Sequence, residues 1–334
     1  MLDIPIWVWA LTVAGFAAVV SLDVALSVRR PHVPSMREAT VWVGVYVGLA
    51  VAFAVGLGFV AGWRWTGEFT AGWLTEYSLS VDNLFVFALI LTSFGVPPAY
   101  RQRVLLVGIV TALVLRAGFI AAGAAALDAF SATFYAFGAV LIVTAVQLLR
   151  GGEKEPDPTR NPAYRLVARL VPTTSDYDGA RLTTVRDGRR LATPLALVMV
   201  AIGLTDVLFA LDSIPAIYGL TQEPYLVLTA NAFALMGLRQ LYFLLAGLLD
   251  RLVYLRFGLA AILAFIGGKL VLHAAHESGA SVPDIPTWMS LVVIVLILAT
   301  ATVASLRRTR TAATGSPSPG AGGRALPASR SRRR

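Results

Sequence analysis

Long apolar segments alternate with short polar ones along the whole chain. Most of these segments reach the roughly 20 residues that an α-helix needs to cross the hydrocarbon core of a bilayer. The pattern predicts nine transmembrane helices, at about residues 5–27, 40–62, 70–95, 104–124, 130–149, 191–218, 226–247, 255–275 and 286–305. The predicted fold class is therefore an all-α polytopic membrane protein.

The composition agrees with a membrane location and excludes several kinds of site. The 334 residues are 57% hydrophobic and 14% charged, whereas about 25% of the residues in a soluble globular domain are charged. Buried helices of soluble domains are also mostly shorter and amphipathic. The sequence contains no cysteine, which excludes disulfides, thiolate metal sites and thiol redox pairs.

The polar connections between the predicted helices alternate in charge. Those around residues 28–38, 100–103, 151–190 and 250–256 are rich in arginine, and the others carry mostly acids. Because basic connections stay cytoplasmic, this predicts an outside N-terminus and an inside C-terminus in a bacterial plasma (inner) membrane. The net charge of +9 lies largely in these connections and in the tail. It therefore favours contact with the lipid bilayer and its anionic headgroups, with no nucleic-acid partner.

The chain divides into four predicted parts. Residues 1–150 hold the first five spans, and residues 191–305 hold the last four. Between them, residues 151–190 are polar and contain proline, which predicts a cytoplasmic loop. Residues 306–334 are rich in Ser, Pro, Gly and Arg, which predicts a disordered basic cytoplasmic tail.

Two short motifs repeat the same arrangement of acids. The stretches "TEYSLSVDN" (75–83) and "TDVLFALDS" (205–213) both read Thr, acid, five residues, Asp and a small polar residue. They lie in the third and sixth spans, which cross the membrane in opposite directions. Two spans later in each case, a Phe-Gly pair precedes an apolar run that ends at Gln147 or Lys269. These echoes predict an inverted 3+3 helix repeat of spans 3–5 and 6–8, with a substrate site near mid-membrane. Chance similarity between apolar helices is the alternative.

Five acids and three bases fall inside the predicted spans, if Arg256 at the very start of the eighth span is counted with the connection before it. A charge at the bilayer centre costs about 3 kcal/mol, so these side chains are expected to face the interior and to have partners. One interpretation pairs acids with bases as structural ion pairs, which leaves at least two acids over. The other is that the surplus of carboxylates binds a cation or protons. The acids are Asp23, Glu76, Asp82, Asp206 and Asp212, and the bases are Arg116, Arg239 and Lys269.

Helical spacing groups oxygen atoms around the first acid of each motif. Glu76, Ser80 and Asn83 lie on one face of a helix, and Asp206 and Ser213 lie on one face of another. Two sets of carboxylate, amide and hydroxyl oxygens are therefore expected to point in common directions.

The sixth span adds a backbone oxygen to this set. Pro215 cannot donate to the carbonyl of Leu211, so an opened helix is expected beside Asp212. Oxygen ligands suit hard divalent ions such as Mn²⁺, Mg²⁺ or Ca²⁺, and the three histidines are expected at interfaces. The predicted metal ligands are Glu76, Asp82, Asn83, Asp206, Asp212 and Ser213. The predicted supporting polar residues are Asp23, Ser80, Arg116, Arg239 and Lys269.

Several stretches resemble the TerC family of integral membrane proteins. The stretch "EYSLSVDNLFVFALI" is similar to the first signature of that family, and "LTDVLFALDSIPAIYGL" is similar to the second. The resemblance covers about residues 15–275 and implies a role in metal-ion homeostasis, above all Mn²⁺ export. It assigns the ion to the motif acids and to the Asn83 and Ser213 positions. Tyr77 and Gly203 depart from the family, since many members have Lys and an acid at these positions.

The resulting expectation is an efflux transporter for a divalent cation, most of all Mn²⁺, with no permanently bound cofactor and with protons as a candidate coupling ion. Two alternatives stay open: a non-transporting scaffold that delivers metal to secreted metalloenzymes, and a tellurium-oxyanion resistance protein. No nucleophile–base set and no phosphate-binding loop is found in the sequence, so enzymatic activity is not expected.

Overall fold

The computed structural model describes residues 4–29, 34–130, 132–150, 172–174, 176–179, 181–186, 189–245, 254–283 and 285–314. In this described part, nine helical segments are long and apolar enough to cross a membrane, which confirms the predicted fold class. The segment predicted as the seventh span consists of two helices. The described residues form ten helices: α1 Ile6–Arg29, α2 Met36–Val60, α3 Trp63–Ser93, α4 Pro98–Ala129, α5 Ala132–Arg150, α6 Pro194–Tyr218, α7 Pro224–Met236, α8 Leu238–Leu245, α9 Leu255–Glu277 and α10 Thr287–Thr314.

The break between α7 and α8 lies at Gly237. Glycine has a low helix propensity, and an added Cβ here would lie 3.6 Å from the side chain of Tyr46 on α2. The sequence pattern predicted one continuous span because both helices are apolar. Discontinuous helices are common beside the substrate sites of transporters.

Helix α6 differs from the expectation at its proline. The helix continues through Pro215 to Tyr218 and ends at Gly219. Pro215 leaves the carbonyl of Leu211 without its usual donor, yet the helix stays continuous over these residues. The expected opening beside Asp212 is not present, and the chain leaves the helix at Gly219 instead.

The segment before α6 forms a small β-hairpin. Strands β1 (Thr183–Arg186) and β2 (Arg189–Ala192) pair antiparallel, and Tyr177 donates a 2.8 Å hydrogen bond to the carbonyl of Phe94 at the end of α3. This contact fixes the hairpin at one end of the helical bundle, called here the hairpin end. The opposite end, which holds the α6–α7 turn, is called the far end. Residues 151–171 of the predicted loop lie outside the described residues.

The predicted tail begins later than expected. Helix α10 extends to Thr314, because the sequence "LRRTRTAAT" contains good helix formers that continue the last span. The remaining residues, 315–334, lie outside the described residues, so the predicted disorder there stays a prediction.

The closest helix crossing joins α5 and α9. A Cβ at Gly267 would lie 2.9 Å from the carbonyl oxygen of Gly138, and a Cβ at Gly138 would lie 2.8 Å from that of Gly267. Small residues allow this approach, as is common between membrane helices. The glycines of the two Phe-Gly pairs have different neighbours. Gly138 packs against α9, whereas Gly258 packs against Ala301 of α10.

The other main contacts pair α3 with α7 and α4 with α6. Exchange of spans 3–5 with spans 6–8 would convert each of these two pairs into the other. The packing is therefore compatible with the inverted repeat, which itself stays a prediction, as does the orientation in the membrane.

Candidate functional site

Three charged side chains meet in the interior of the bundle, each from a different helix. Arg116 of α4 donates from Nε and Nη2 to the carboxylate of Asp206 on α6, at 3.4 and 3.2 Å. Its Nη1 forms an ion pair with Oε1 of Glu76 on α3. Arg116 and Glu76 are fully buried and Asp206 is 2% exposed. We call these three residues the triad, and its formal charge is −1.

Several buried oxygens on the helix faces that carry Glu76 and Asp206 lack partners within the described residues. They are Oε2 of Glu76 and the hydroxyl oxygens of Ser80 on α3 and Ser213 on α6. All three residues are buried, and they occupy the helix faces that the sequence pattern predicted. Buried polar atoms are normally hydrogen-bonded, so these oxygens provide capacity for a ligand.

One cavity of about 400 Å³ opens towards the hairpin end. It takes polar side chains from four helices, namely Asn83 of α3, Thr144 and Gln147 of α5, Asp212 of α6 and Arg256 of α9. Four of these five side chains offer oxygen atoms. We call this space the hairpin-end cavity.

A second cavity of about 600 Å³ opens at the far end. Glu68 and Glu223 line it and are only 4% and 5% exposed. Thr221 connects them, since its hydroxyl donates to Glu68 at 2.7 Å and accepts from the backbone N–H of Glu223 at 3.3 Å. Lys269 and His273 of α9 also line this far-end cavity.

A packed layer separates the two cavities. On α6, Asp212 lines the first cavity and Tyr218 lines the second; on α9, Leu263 and Lys269 have the same relationship. In each case the two residues are six positions apart along the helix, a rise of about 9 Å. We call residues 213–217 and 264–268 the septum.

The septum is closed by apolar side chains against glycines. An added Cβ at Gly219 would lie 2.4 Å from Ile266, and one at Gly72 would lie 3.2 Å from Ile217. Both isoleucines are fully buried. The structure is therefore closed between the cavities, and passage of an ion requires these helices to move.

The remaining predicted charges lie apart from the triad. Asp23 of α1 accepts from Arg239 of α8 at 2.6 Å and from Gln240 at 3.4 Å, so this pair links the first helix to the interrupted seventh span. Lys269 is buried at the inner end of the far-end cavity. Asp23, Glu76 and Asp206 thus each have an arginine partner, in line with the structural ion-pair interpretation.

The predicted metal ligands do not form one compact carboxylate cluster in the described residues. There, no group of three or more Asp, Glu, His or Cys side chains is placed to hold a metal ion. Glu76 and Asp206 meet through Arg116, while Asp212 and Asn83 share the hairpin-end cavity. The side chain of Asp82 lies outside the described residues.

The sequence pattern predicted Asn83, Asp212 and Lys269 but not the other polar residues that line the two cavities. Glu68 and Glu223 were interpreted only as acids of the connections, and Arg256 only as a base of a cytoplasmic connection. Gln147 was noted as an echo of Lys269, and the two residues do line cavities at opposite ends. An acid just before a predicted span, as at Glu68 and Glu223, was the available signal.

Comparison with known proteins matches this chain to a family of integral membrane proteins and to individual membrane proteins. A model of the integral membrane protein TerC family matches residues 61–313. An uncharacterized membrane protein of Mycobacterium tuberculosis is 49% identical over 300 residues, which cover 86% of this chain and 76% of that protein. The thylakoid membrane protein TERC of Arabidopsis thaliana is 43% identical over 245 residues, covering 72% and 64% of the two chains. No solved structure matches this chain.

Proposed function

This chain belongs to the TerC family of integral membrane proteins, and we propose that it transports a divalent metal cation, with Mn²⁺ as the leading candidate. The observation that carries the proposal is the hairpin-end cavity, a space open to one side whose lining includes Asp212, Asn83, Thr144 and Gln147. Carboxylate, amide and hydroxyl oxygens are the ligands that hard divalent cations prefer.

The arrangement of the two cavities supports transport rather than binding alone. They open at opposite ends of the bundle, and the septum between them is only about 9 Å thick along α6 and α9. A protein that only delivers metal to a partner has no need for a second cavity on the same axis. Alternating access would require the septum to open towards each side in turn.

The charges in the interior favour a cation over an oxyanion. The triad carries a formal charge of −1, and Asp212 adds a carboxylate at the inner end of the hairpin-end cavity, which Arg256 also lines. A tellurium oxyanion would have to approach this set of carboxylates. The efflux direction and the plasma-membrane location belong to the proposal, the first from the family resemblance and the second from the arginine-rich connections.

Purified protein in liposomes tests this function. We expect Asp212→Asn to lower the initial rate of Mn²⁺ flux by about 10–100-fold, the range found when metal-site residues are altered. The matched control is Asp128→Asn, which removes an exposed carboxylate at the far end of α4 and should leave the rate within about twofold of wild type. Equal rates in wild type and Asp212→Asn would contradict the proposed site.

A further inference from the structure

The triad has more acceptor capacity than its arginine uses. All three guanidinium nitrogens of Arg116 are directed at two carboxylates, yet Glu76 Oε2 and the hydroxyls of Ser80 and Ser213 have no partner in the described residues. A purely structural buried ion pair normally has its oxygens satisfied. The site therefore resembles a cation site in which a side chain supplies the cation.

The position of Arg116 supports this interpretation. Its two partners are the first acids of the two repeated motifs, Glu76 and Asp206, which lie on different helices. Asn83 and Asp212 follow them by seven and six residues and line the hairpin-end cavity. The two acids that Arg116 holds therefore lie within about two helical turns of the lining of that cavity, along α3 and α6.

The second half of the chain provides a contrast. Arg239 is the intramembrane arginine of the seventh span, and it too is buried, at 6% exposure. Its carboxylate partner is Asp23 of α1, outside both three-helix units. Of these two arginines, only Arg116 of the first three-helix unit bridges acids of the two motifs in the described residues.

We propose that Arg116 is an internal counter-cation that competes with the transported divalent ion for Glu76 and Asp206. This inference rests on the proposed function and concerns its central step. With Arg116 in place, the two carboxylates and the guanidinium sum to −1, and a divalent ion cannot coordinate both acids. Displacement of the guanidinium exposes a charge of −2, which matches one divalent cation, and its return drives the ion out.

The competition makes Arg116 a determinant of affinity and release. Without Arg116, the two carboxylates would attract a divalent ion more strongly, since no fixed positive charge remains between them. Tighter binding would slow release, so affinity and turnover should change in opposite directions. A merely structural arginine would produce loss of fold without tighter binding.

The experiment measures Mn²⁺ binding by titration calorimetry and Mn²⁺ flux in liposomes for wild type and Arg116→Gln. We expect the Kd to fall by about tenfold or more and turnover to fall by a similar factor. Arg239→Gln is the matched control for loss of a buried arginine, and its Kd should stay within about twofold of wild type. A folded Arg116→Gln variant with unchanged or weaker binding would overturn the inference.

A second comparison covers the case in which Arg116→Gln does not fold. Asp206→Asn sets the triad charge to 0, and Asp206→Asn with Arg116→Gln sets it to −1, the wild-type value. The double variant should bind Mn²⁺ about tenfold more tightly than Asp206→Asn alone, and equal affinities would overturn the inference. Failure of wild type to carry Mn²⁺ would instead reject the proposed function, so the two failures are distinguishable.

Discussion

Arg116 donates two hydrogen bonds to Asp206 across the interface of α4 and α6, at 3.2 and 3.4 Å, with both side chains buried. The same guanidinium pairs with Glu76 of α3. One residue thus connects the acids of the two motifs, and the interior of the bundle depends on its charge.

Removal of Arg116 should be more harmful than removal of either of its partners. Arg116→Ala leaves two buried carboxylates without a counter-charge and should cost about 3–5 kcal/mol of stability. Asp206→Asn leaves Arg116 paired with Glu76 at zero net charge and should cost less. Thermal unfolding of both variants in the same detergent measures the order, and a larger loss in Asp206→Asn would contradict it.

Two adjacent glycines of α9 should respond differently to alanine. A Cβ at Gly267 would meet the backbone of Gly138 at 2.9 Å, whereas one at Gly268 would have nothing within 4 Å. Gly267→Ala should therefore cost about 1–3 kcal/mol through overpacking, and Gly268→Ala should be neutral or stabilising by up to about 1 kcal/mol. Unfolding midpoints of the pair check this, and equal losses would mean that the α5–α9 crossing is looser than described.

The two cavities should open to opposite sides of the membrane. Because the sequence contains no cysteine, Thr144→Cys and Gln222→Cys each introduce a single thiol, one into each cavity. A membrane-impermeant thiol reagent should label Gln222→Cys from the outside and Thr144→Cys only from the inside, given the predicted orientation. Labelling of both from the same side would show that the cavities do not lie across the septum from each other.

The β-hairpin should be held to the bundle by Tyr177. Its hydroxyl donates to the carbonyl of Phe94 at 2.8 Å, and burial raises the pKa of Tyr177 above its usual value. The phenol thus stays protonated to a higher pH in the folded state than in the unfolded state. Its contribution, about 0.5–1.5 kcal/mol, is present below about pH 10 and is lost as the pH rises through the folded pKa.

Limited proteolysis measures this contribution. Trypsin should cleave after Arg186 faster in Tyr177→Phe than in wild type at neutral pH, and the difference in hairpin stability should shrink above about pH 10. Identical cleavage rates at neutral pH would show that the Tyr177 hydrogen bond does not hold the hairpin in place.

Much of the fold could be predicted from the sequence because length and hydropathy decide where a chain crosses a bilayer. The nine apolar segments stand out for that reason, and the arrangement of Glu76, Ser80 and Asn83 on one buried face follows from helical periodicity alone. The break at Gly237 was not predicted, since the helices on both sides of it are apolar and glycine within a span does not by itself mark a break. Pro215 led to the expectation of an opened helix, whereas α6 is continuous through it.

The candidate site was predicted in its members but not in its pairing. Charge counting showed that acids exceed bases within the spans, but it could not show that Arg116 takes two acids while Asp23 takes Arg239. Those choices depend on which helices pack together, and packing is a tertiary property. For the same reason, the sequence could not show that Glu68 and Glu223 line the far-end cavity, because both residues lie in connections between predicted spans.

The most direct test of the central claim is the initial rate of Mn²⁺ flux into liposomes that contain the wild-type chain, compared with empty liposomes. The proposal predicts a rate that saturates with Mn²⁺ concentration and falls when another divalent cation of similar size competes. A rate equal to that of empty liposomes, from protein that is folded and inserted, would contradict it.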